Sequence, residues 1–272
     1  MSLLSLELDT AQLAQHYDVV SVNRQFEAGT LLIERLALRP GERVLDVGSG
    51  TGLLAEYVSG IVGATGSVLA IDPLPLRIEL AKRRARPDLT FEVGDAYELG
   101  TYATASFDVV YLNAVFHWLP EKLGPLREFH RLLAKDGRLG ITTGAGERLG
   151  TLQSVRKAVL TREPYAGFPE SQDGAAHRVT LVELQALLQQ TGFAISSIEV
   201  VPNVTLQPTP SAAIEFSQAS SFGNFLGHLP DALRHEAHAE IERELEAFRV
   251  PEGIRLEGAR IIAVAQRLDQ LK

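Results

Sequence analysis

The segment VLDVGSGTG, Val44 to Gly52, decides the fold of this 272-residue chain. A mostly apolar run ends in three glycines, Gly48, Gly50 and Gly52, which alternate with small polar residues. This pattern is typical of a buried strand, a tight turn and the start of a helix. Glycine tolerates positive φ and lets the backbone approach a ligand closely, and a helix N-terminus offers unpaired N–H groups. The segment therefore predicts a ligand-binding turn at the carboxyl end of a strand.

Short β-branched runs alternate with helical stretches from residue 44 to about residue 143. This alternation predicts a parallel sheet covered by helices on both faces. The predicted strands of this part are Arg43–Val47, Ser67–Ile71, Thr90–Val93, Phe107–Leu112 and Arg138–Thr142. We expect one crossover helix to begin at Pro73 and to bury Leu76, Leu80 and Ala81, and another to span residues 121–134. Two later strands are expected at residues 194–201 and 255–266.

Two segments, residues 144–178 and 208–250, interrupt this alternation and read as insertions that form a small helical cap over one end of the sheet. Between them, Thr180 and Glu183 fit a capping box at the start of a core helix. The predicted organisation is residues 1–143 for the N-terminal helices and the core, 144–178 for the first cap segment, 179–207 for the continued core, 208–250 for the second cap segment and 251–272 for the last strand.

Composition excludes several kinds of chemistry. The chain has no cysteine, which removes disulfides, thiolate-bound metals and a cysteine nucleophile. A net charge of -8 argues against a nucleic-acid partner. No apolar run reaches the ~20 residues of a membrane span, and the first residues lack the basic start of a secretory signal, so we expect a cytoplasmic protein without a membrane partner. His235 and His238 lack an evident third ligand, so no metal is expected.

Three acidic residues, Asp46, Asp72 and Asp95, lie in or directly after the first three predicted strands. A carboxylate at the end of the second strand, as Asp72 is, can hold the hydroxyls of a ribose, although it can also cap the helix that follows. Three acids in one crevice would repel nucleotide phosphates and attract a sulfonium or an ammonium group. Leu53 occupies the position of the last glycine in the dinucleotide fingerprint, which disfavours NAD.

These residues resemble the class I S-adenosylmethionine-dependent methyltransferases, most closely the branch that contains UbiE and trans-aconitate methyltransferase. The resemblance covers the order of elements over residues 12–270 and the motifs over residues 43–143. It implies a Rossmann-like, doubly wound sheet of seven strands, mostly parallel, with an antiparallel last strand. It also implies S-adenosylmethionine as cofactor, with contacts from Tyr17, Gln25, Asp46, Gly48, Ser49, Gly50, Gly52, Asp72, Pro73, Asp95, Ala96 and Asn113. Tyr17 could equally serve only to pack its helix on the core.

The candidate general base is His117, in the loop after the fourth strand. An imidazole with an ordinary pKa near 6.5 suits proton removal at neutral pH. Methyl transfer from a sulfonium is an in-line displacement, however, so alignment and exclusion of water could suffice without a base. A histidine at this position could also serve only in packing and backbone hydrogen bonding.

The cap supplies the candidate residues for the methyl acceptor: Tyr165, His177, Arg178, Phe222 and Phe225. Aromatic side chains could wall an apolar molecule and an arginine could hold a carboxylate, although aromatic residues between two segments are often core. We expect a small-molecule acceptor, with oxygen ahead of carbon or nitrogen, and a monomer or a homodimer. A cofactor-binding protein without catalysis and a nicotinamide oxidoreductase are the alternatives of other classes.

Overall fold

The computed structural model describes residues 6–20, 22–168 and 176–269. Its helices are α1 (Ala11–Val20), α2 (Val22–Leu36), α3 (Leu53–Val62), α4 (Pro75–Ala81), α5 (Leu123–Leu132), α6 (Thr151–Leu160), α7 (Leu181–Gln190), α8 (Pro210–Ser220) and α9 (Asp231–Leu245). Its strands are β1 (Arg43–Val47), β2 (Ser67–Asp72), β3 (Leu89–Val93), β4 (Phe107–Asn113), β5 (Leu133–Gly144), β6 (Phe193–Gln207), β7 (Arg249–Val250) and β8 (Gly253–Arg267).

Within the described residues the strands form one sheet in the order β3-β2-β1-β4-β5-β8-β6, with β7 paired to β8. The pairs among β1 to β5 are parallel, and β8 runs antiparallel to β5. The predicted α/β class, with a mostly parallel sheet and an antiparallel last strand, is confirmed. The short β7 is an additional strand that the sequence does not predict. Since β1 pairs with both β2 and β4, the chain reverses its winding between β1 and β4, where open sheets of this kind bind ligands.

The chain forms two compact units. The larger unit comprises residues 22–146, 177–201 and 260–272, and the smaller unit comprises residues 1–21, 147–176 and 202–259. These boundaries differ from the predicted ones, because α1 packs against α8 and therefore belongs to the smaller unit. The two predicted cap segments share a hydrophobic core in this unit, to which α6, α8 and α9 contribute Val159, Ile214 and Ile241. The placement of these segments over the sheet stays a prediction.

Helix α2 packs closely on the sheet of the larger unit because β5 carries a glycine at the contact. Leu32, Ile33 and Leu36 of α2 are almost fully buried. A Cβ atom at Gly140 would lie 2.7 Å from Leu36 Cδ1, so a side chain there would push the helix away. This packing fixes the end of α2 that precedes β1.

Several predicted boundaries require correction. Helix α4 begins at Pro75 rather than Pro73, because Leu74 is still extended, and it buries Arg77, Ile78 and Ala81 while Leu76 is exposed. The predicted helix over residues 121–134 ends at Leu132, since Leu133 is extended and pairs with Phe107. Strand β6 continues to Gln207, six residues beyond the predicted end at Val201. The capping box of Thr180 and Glu183 is confirmed.

No helix of the described residues is both long and apolar enough to cross a membrane.

Candidate active site

The glycine turn after β1 adopts a backbone that requires glycine. Gly48, Gly50 and Gly52 have φ values of 78°, 56° and 85°, which are strained for residues with a side chain. A Cβ atom at Gly52 would also lie 2.6 Å from Phe91 Cε1, so the turn lies directly against β3. The N–H groups of Gly48 and Ser49 donate to the carbonyl oxygen of Ile71 at 2.8 and 2.9 Å. The turn is thus fastened to the end of β2.

The Asp72 carboxylate joins the same turn to the start of α4. Its Oδ2 accepts a hydrogen bond from the Gly50 N–H at 2.8 Å, and its Oδ1 accepts one from the Leu74 N–H at 3.0 Å. Asp72 is 6% exposed. An ionised carboxylate can accept about four hydrogen bonds, so accepting from these two N–H groups does not by itself use its full capacity. The two roles weighed from the sequence, cap and ligand contact, are therefore compatible.

The remaining residues of the turn and of the loop after β3 provide further polar groups for a nucleoside ligand. Ser49 Oγ is buried and has no hydrogen-bond partner within the described part of the chain. Asp95 Oδ1 accepts from the Tyr97 N–H at 2.9 Å, which orients the carboxylate after β3. Ala96 is buried beside it and Pro73 is half-buried after Asp72. An unsatisfied hydroxyl, two oriented carboxylates and a turn with three glycines fit the adenosine part of S-adenosylmethionine.

Asp46 lies inside the sheet rather than at its edge. It is 2% exposed, and its Oδ2 accepts a hydrogen bond of 2.7 Å from the Tyr111 hydroxyl of β4. The pKa of Asp46 is raised to about 7, chiefly by burial; the Tyr111 hydrogen bond opposes this rise and the charge of Asp72 adds to it. Burial also raises the pKa of Tyr111 well above its usual value. A direct cofactor contact by Asp46 stays a prediction, since the described contacts of its carboxylate are internal.

Asn113 fastens the end of β4 to its two neighbours. Its side-chain N–H donates to the carbonyl oxygen of Gln25 in α2 at 2.9 Å, and its Oδ1 accepts from the Thr142 hydroxyl at 2.6 Å. Thr142 Oγ1 in turn accepts from the Ala114 N–H at 2.9 Å. These bonds favour a role for Asn113 in positioning the loop after β4. Through its backbone, Gln25 is held beside the same loop.

His117 follows β4, and its imidazole is held through Nδ1. The Gly144 N–H donates to Nδ1 at 3.3 Å, and Thr143 Oγ1 lies 3.2 Å from the same nitrogen. An Nδ1 atom that accepts places the proton of the neutral ring on Nε2. Burial, followed by the positive charges of Arg178 and Lys122, lowers the pKa of His117 to about 3. The geometry therefore argues against the predicted general base and favours a neutral ring that donates from Nε2.

Lys122 shapes this loop and is not among the residues that the sequence analysis selects. Its buried ammonium group donates to the carbonyl oxygen of Phe116 at 2.6 Å and to that of Leu119, and it lies 4.7 Å from the centre of the Phe116 ring. Burial lowers the pKa of Lys122 to about 8. A cation at the N-terminal cap of α5 opposes the helix dipole, and this unfavourable position is a sequence signal for a special role.

The segment after residue 176 runs beside the His117 loop. The His177 N–H donates to the carbonyl oxygen of His117 at 2.7 Å, while the His177 side chain is exposed. The side chain of Arg178 is half-buried against Gly144, at the end of β5. Of the predicted acceptor-binding residues, these two thus belong to the larger unit and lie close to His117.

The other predicted acceptor-binding residues belong to the smaller unit. Tyr165 and Phe225 are each 1% exposed and form part of its hydrophobic core, with the Tyr165 hydroxyl donating to Glu240 at 2.9 Å. This burial argues against a place in the wall of a substrate site, because packing already occupies both rings. Phe222 is half-buried, with a φ of 56°. Tyr17 lies on α1 of the same unit, so its predicted cofactor contact stays a prediction.

His235 and His238 are the two histidines that the sequence analysis weighs as metal ligands. Within the described residues, no group of three or more histidine, cysteine or acidic side chains could hold a metal ion. His235 Nδ1 lies 2.8 Å from the carbonyl oxygen of Asp231, and His238 Nδ1 lies 3.7 Å from Glu242.

The chain is similar to known methyltransferases. Residues 45–141 match the model of the methyltransferase domain family. Over 235 residues the chain is 32% identical to 27-O-demethylrifamycin SV methyltransferase of Amycolatopsis mediterranei, covering 82% of this chain and 78% of that protein. It is 29% identical over 139 residues to demethylmenaquinone methyltransferase of Lactobacillus johnsonii, covering 48% of this chain and 57% of that protein.

A solved structure of a Bacillus halodurans protein assigned as a methyltransferase superposes with a TM-score of 0.63 at 17% identity, covering 89% of this chain and all of that one. The likeness at this identity concerns the fold. The fold and the site define a cofactor-binding α/β protein of the methyltransferase type. The chain belongs to the class I S-adenosylmethionine-dependent methyltransferases, and S-adenosylmethionine is its cofactor. The alternative of a nicotinamide oxidoreductase is thereby set aside.

Replacing Asp72 tests the role of its carboxylate. We expect Asp72→Ala to weaken S-adenosylmethionine binding by ~10- to 1,000-fold, because charge-assisted hydrogen bonds of ~1.5 to 3 kcal/mol each are lost. Calorimetric titration measures the affinity and urea unfolding checks the fold. Glu79→Ala, which removes an exposed carboxylate from α4, is the matched control. Unchanged affinity in a folded Asp72→Ala protein would show that Asp72 only caps α4 and does not bind the cofactor.

The raised pKa of Asp46 predicts a loss of stability with rising pH. The folded state favours the protonated acid, so stability that is present at low pH is lost as the pH rises through about 7. From pH 6 to pH 8 the wild type should lose roughly 1 kcal/mol more unfolding free energy than Asp46→Asn, which keeps an acceptor for Tyr111. Urea unfolding at both pH values measures this. Equal losses in the two proteins would contradict the pKa of Asp46.

The lowered pKa of His117 predicts a ring that stays neutral across the physiological range. Its Cε1–H signal in NMR spectra, assigned with His117→Gln, should not titrate between about pH 5 and pH 8. His117→Gln keeps a side-chain N–H donor, so turnover of an identified acceptor should fall by less than about tenfold, whereas loss of a general base costs ~100- to 10,000-fold. Titration of the His117 signal near pH 6.5, or a ~100- to 10,000-fold loss of turnover in His117→Gln, would support His117 as the general base.

Proposed function

We propose that this methyltransferase acts on a small-molecule acceptor and transfers the methyl group to oxygen. The observation that carries the proposal is the match to 27-O-demethylrifamycin SV methyltransferase, which extends over 82% of this chain and so includes both units. The methyl acceptor named for that relative is a small molecule with a free hydroxyl oxygen. The match to demethylmenaquinone methyltransferase covers only 48% of this chain, so it carries less of the argument.

The charges of the larger unit support a division of the site into two parts. The carboxylates of Asp72 and Asp95 lie on the β2 and β3 side of the glycine turn, where they favour a ligand with a positive charge. On the other side of the winding reversal, the loops after β4 and β5 carry His117, Lys122 and Arg178. We infer that the acceptor binds on this second side, facing the cofactor.

Bound S-adenosylmethionine supplies an electrophilic methyl group on a sulfonium. This chain then has to bind and align the two reactants, which can supply ~7 to 11 kcal/mol of the barrier. The ties of Asn113 to α2 and β5, and of Lys122 to the Phe116 and Leu119 carbonyls, hold the loop after β4 in one conformation. His117, neutral and protonated at Nε2, orients the acceptor by donating a hydrogen bond. An acceptor hydroxyl releases its proton to water rather than to this ring.

The predicted contact of Phe222 with the acceptor stays a prediction. Phe222 belongs to the smaller unit, where it is half-buried and has a positive φ.

Calorimetry and an isotope experiment test the proposal together. We expect S-adenosylmethionine and S-adenosylhomocysteine to bind and NAD to show no binding, because Leu53 occupies the position of the last glycine of the dinucleotide fingerprint. The purified protein is then incubated with cofactor labelled with ¹³C at the methyl group and with a panel of phenols, hydroxy acids, quinols and polyketides. The ¹³C chemical shift of the product identifies oxygen, nitrogen or carbon as the acceptor atom.

Each outcome has a defined meaning. Transfer to oxygen of a panel member supports the proposal, and transfer to carbon or nitrogen overturns the choice of atom. Cofactor binding without turnover of any panel member, and without labelling of protein added as acceptor, favours the non-catalytic alternative. Labelling of added protein alone would overturn the small-molecule acceptor.

A further inference from the structure

Arg178 is a half-buried cation that no acidic side chain neutralises among residues 6–20, 22–168 and 176–269. Some other partly buried arginines of the larger unit pair with carboxylates, as Arg84 does with Glu56, Arg131 with Glu128 and Arg138 with Glu42, while Arg267 donates to the Leu133 carbonyl oxygen. Arg260, which lies opposite Gly144 across the β5–β8 pair, has the charge of Glu27 nearby. A buried cation is stabilised by an anion close to it, and the part of the chain that the structure describes places no carboxylate against Arg178.

The backbone on both sides of Arg178 is fixed. The His177 N–H donates to the carbonyl oxygen of His117, and the Gly146 N–H donates at 2.8 Å to the carbonyl oxygen of Val179, which also bridges to Ala145. The segment is therefore held between the loop after β4 and the end of β5. An arginine on a rigid backbone loses less entropy when it binds a ligand than one on a mobile loop.

The Arg178 side chain lies along the end of β5 because that position is a glycine. A Cβ atom at Gly144 would lie 3.3 Å from both Cζ and Nε of Arg178, which is tighter than most such contacts. Gly144 also donates its N–H to His117 Nδ1. The guanidinium group is thus close to the imidazole whose Nε2–H is available as a second donor.

We infer that Arg178 is a binding site for an anionic group, foremost a carboxylate, on the methyl acceptor. The inference rests on the proposed function, since it assigns the acceptor to the side of the site that carries His117. A planar guanidinium matches a carboxylate through two parallel hydrogen bonds, which a neutral amide or ester cannot reproduce. The acceptors of this enzyme are therefore organic acids in which the methylated atom is separate from the anionic group.

Ligand-observed ¹⁹F NMR tests this inference with 4-fluorobenzoate and 4-fluorobenzamide as probes. Both are titrated to millimolar concentration into protein saturated with S-adenosylhomocysteine. We expect the benzoate to bind at least about tenfold more tightly than the benzamide, which corresponds to ~1.4 kcal/mol. Unlabelled acetate should displace the benzoate, whereas acetamide should leave it bound.

Three variants complete the test. Arg178→Met should abolish the preference for the acid, and Arg178→Lys should retain part of it, because a point charge attracts a carboxylate without the paired geometry. Arg83→Met removes an exposed arginine and the same net charge, and it should bind the benzoate as the wild type does. Unfolding temperatures and S-adenosylhomocysteine affinities that match the wild type show that the variants are folded.

The results distinguish failure of the anion site at Arg178 from failure of the proposed methyltransferase function. Absence of benzoate binding, equal binding of acid and amide, or a preference that survives in Arg178→Met overturns the anion site while S-adenosylhomocysteine still binds. An anion site that is present in a protein that methylates no member of the panel overturns the proposed function and leaves Arg178 as an anion-binding residue.

Discussion

The carboxylate of Asp72 is the contact on which the binding turn depends. It accepts hydrogen bonds from the N–H groups of Gly50 and Leu74, so one side chain joins the turn after β1 to the start of α4. The Ile71 carbonyl oxygen adds two more bonds to the turn. Without these acceptors, a turn of three glycines at positive φ would have many accessible conformations. The negative charge that organises the turn is also the charge that a cationic cofactor meets.

The loop after β4 is held by a different set of contacts, which use buried cationic and neutral groups. Lys122 holds two carbonyl oxygens of this loop, Asn113 fastens its beginning, and Gly144 donates to the His117 ring. A low local polarity makes each of these bonds stronger and makes ionisation of His117 unfavourable. Hydrogen bonds thus position the His117 ring, while burial and the charges of Arg178 and Lys122 lower its basicity.

The predicted cofactor residues and the predicted acceptor residues differ in how far the structure supports them. Gly48 and Asp72 follow consecutive strands of a parallel sheet, and parallel strands bring their carboxyl ends to one edge, so local sequence is enough to place them together. Tyr165 and Phe225 come from segments with no such regularity. Whether an aromatic ring lines a site or fills a core depends on the helices packed around it, and here α6, α8 and α9 enclose both rings.

The sequence by itself determined the α/β class, the parallel order of the first strands, the glycine turn, the capping box of α7 and the identity of the cofactor class. These features follow from periodicity, backbone freedom and charge within short stretches of chain. Only the tertiary structure decided that Asp46 is enclosed against Tyr111, that Lys122 holds the His117 loop and that Arg178 lies along Gly144. Contacts between residues 65 and 34 positions apart set the first and the last of these outcomes, and no local pattern encodes such distances. The bonds of Lys122 span only three and six residues, and they depend on burial of its ammonium group.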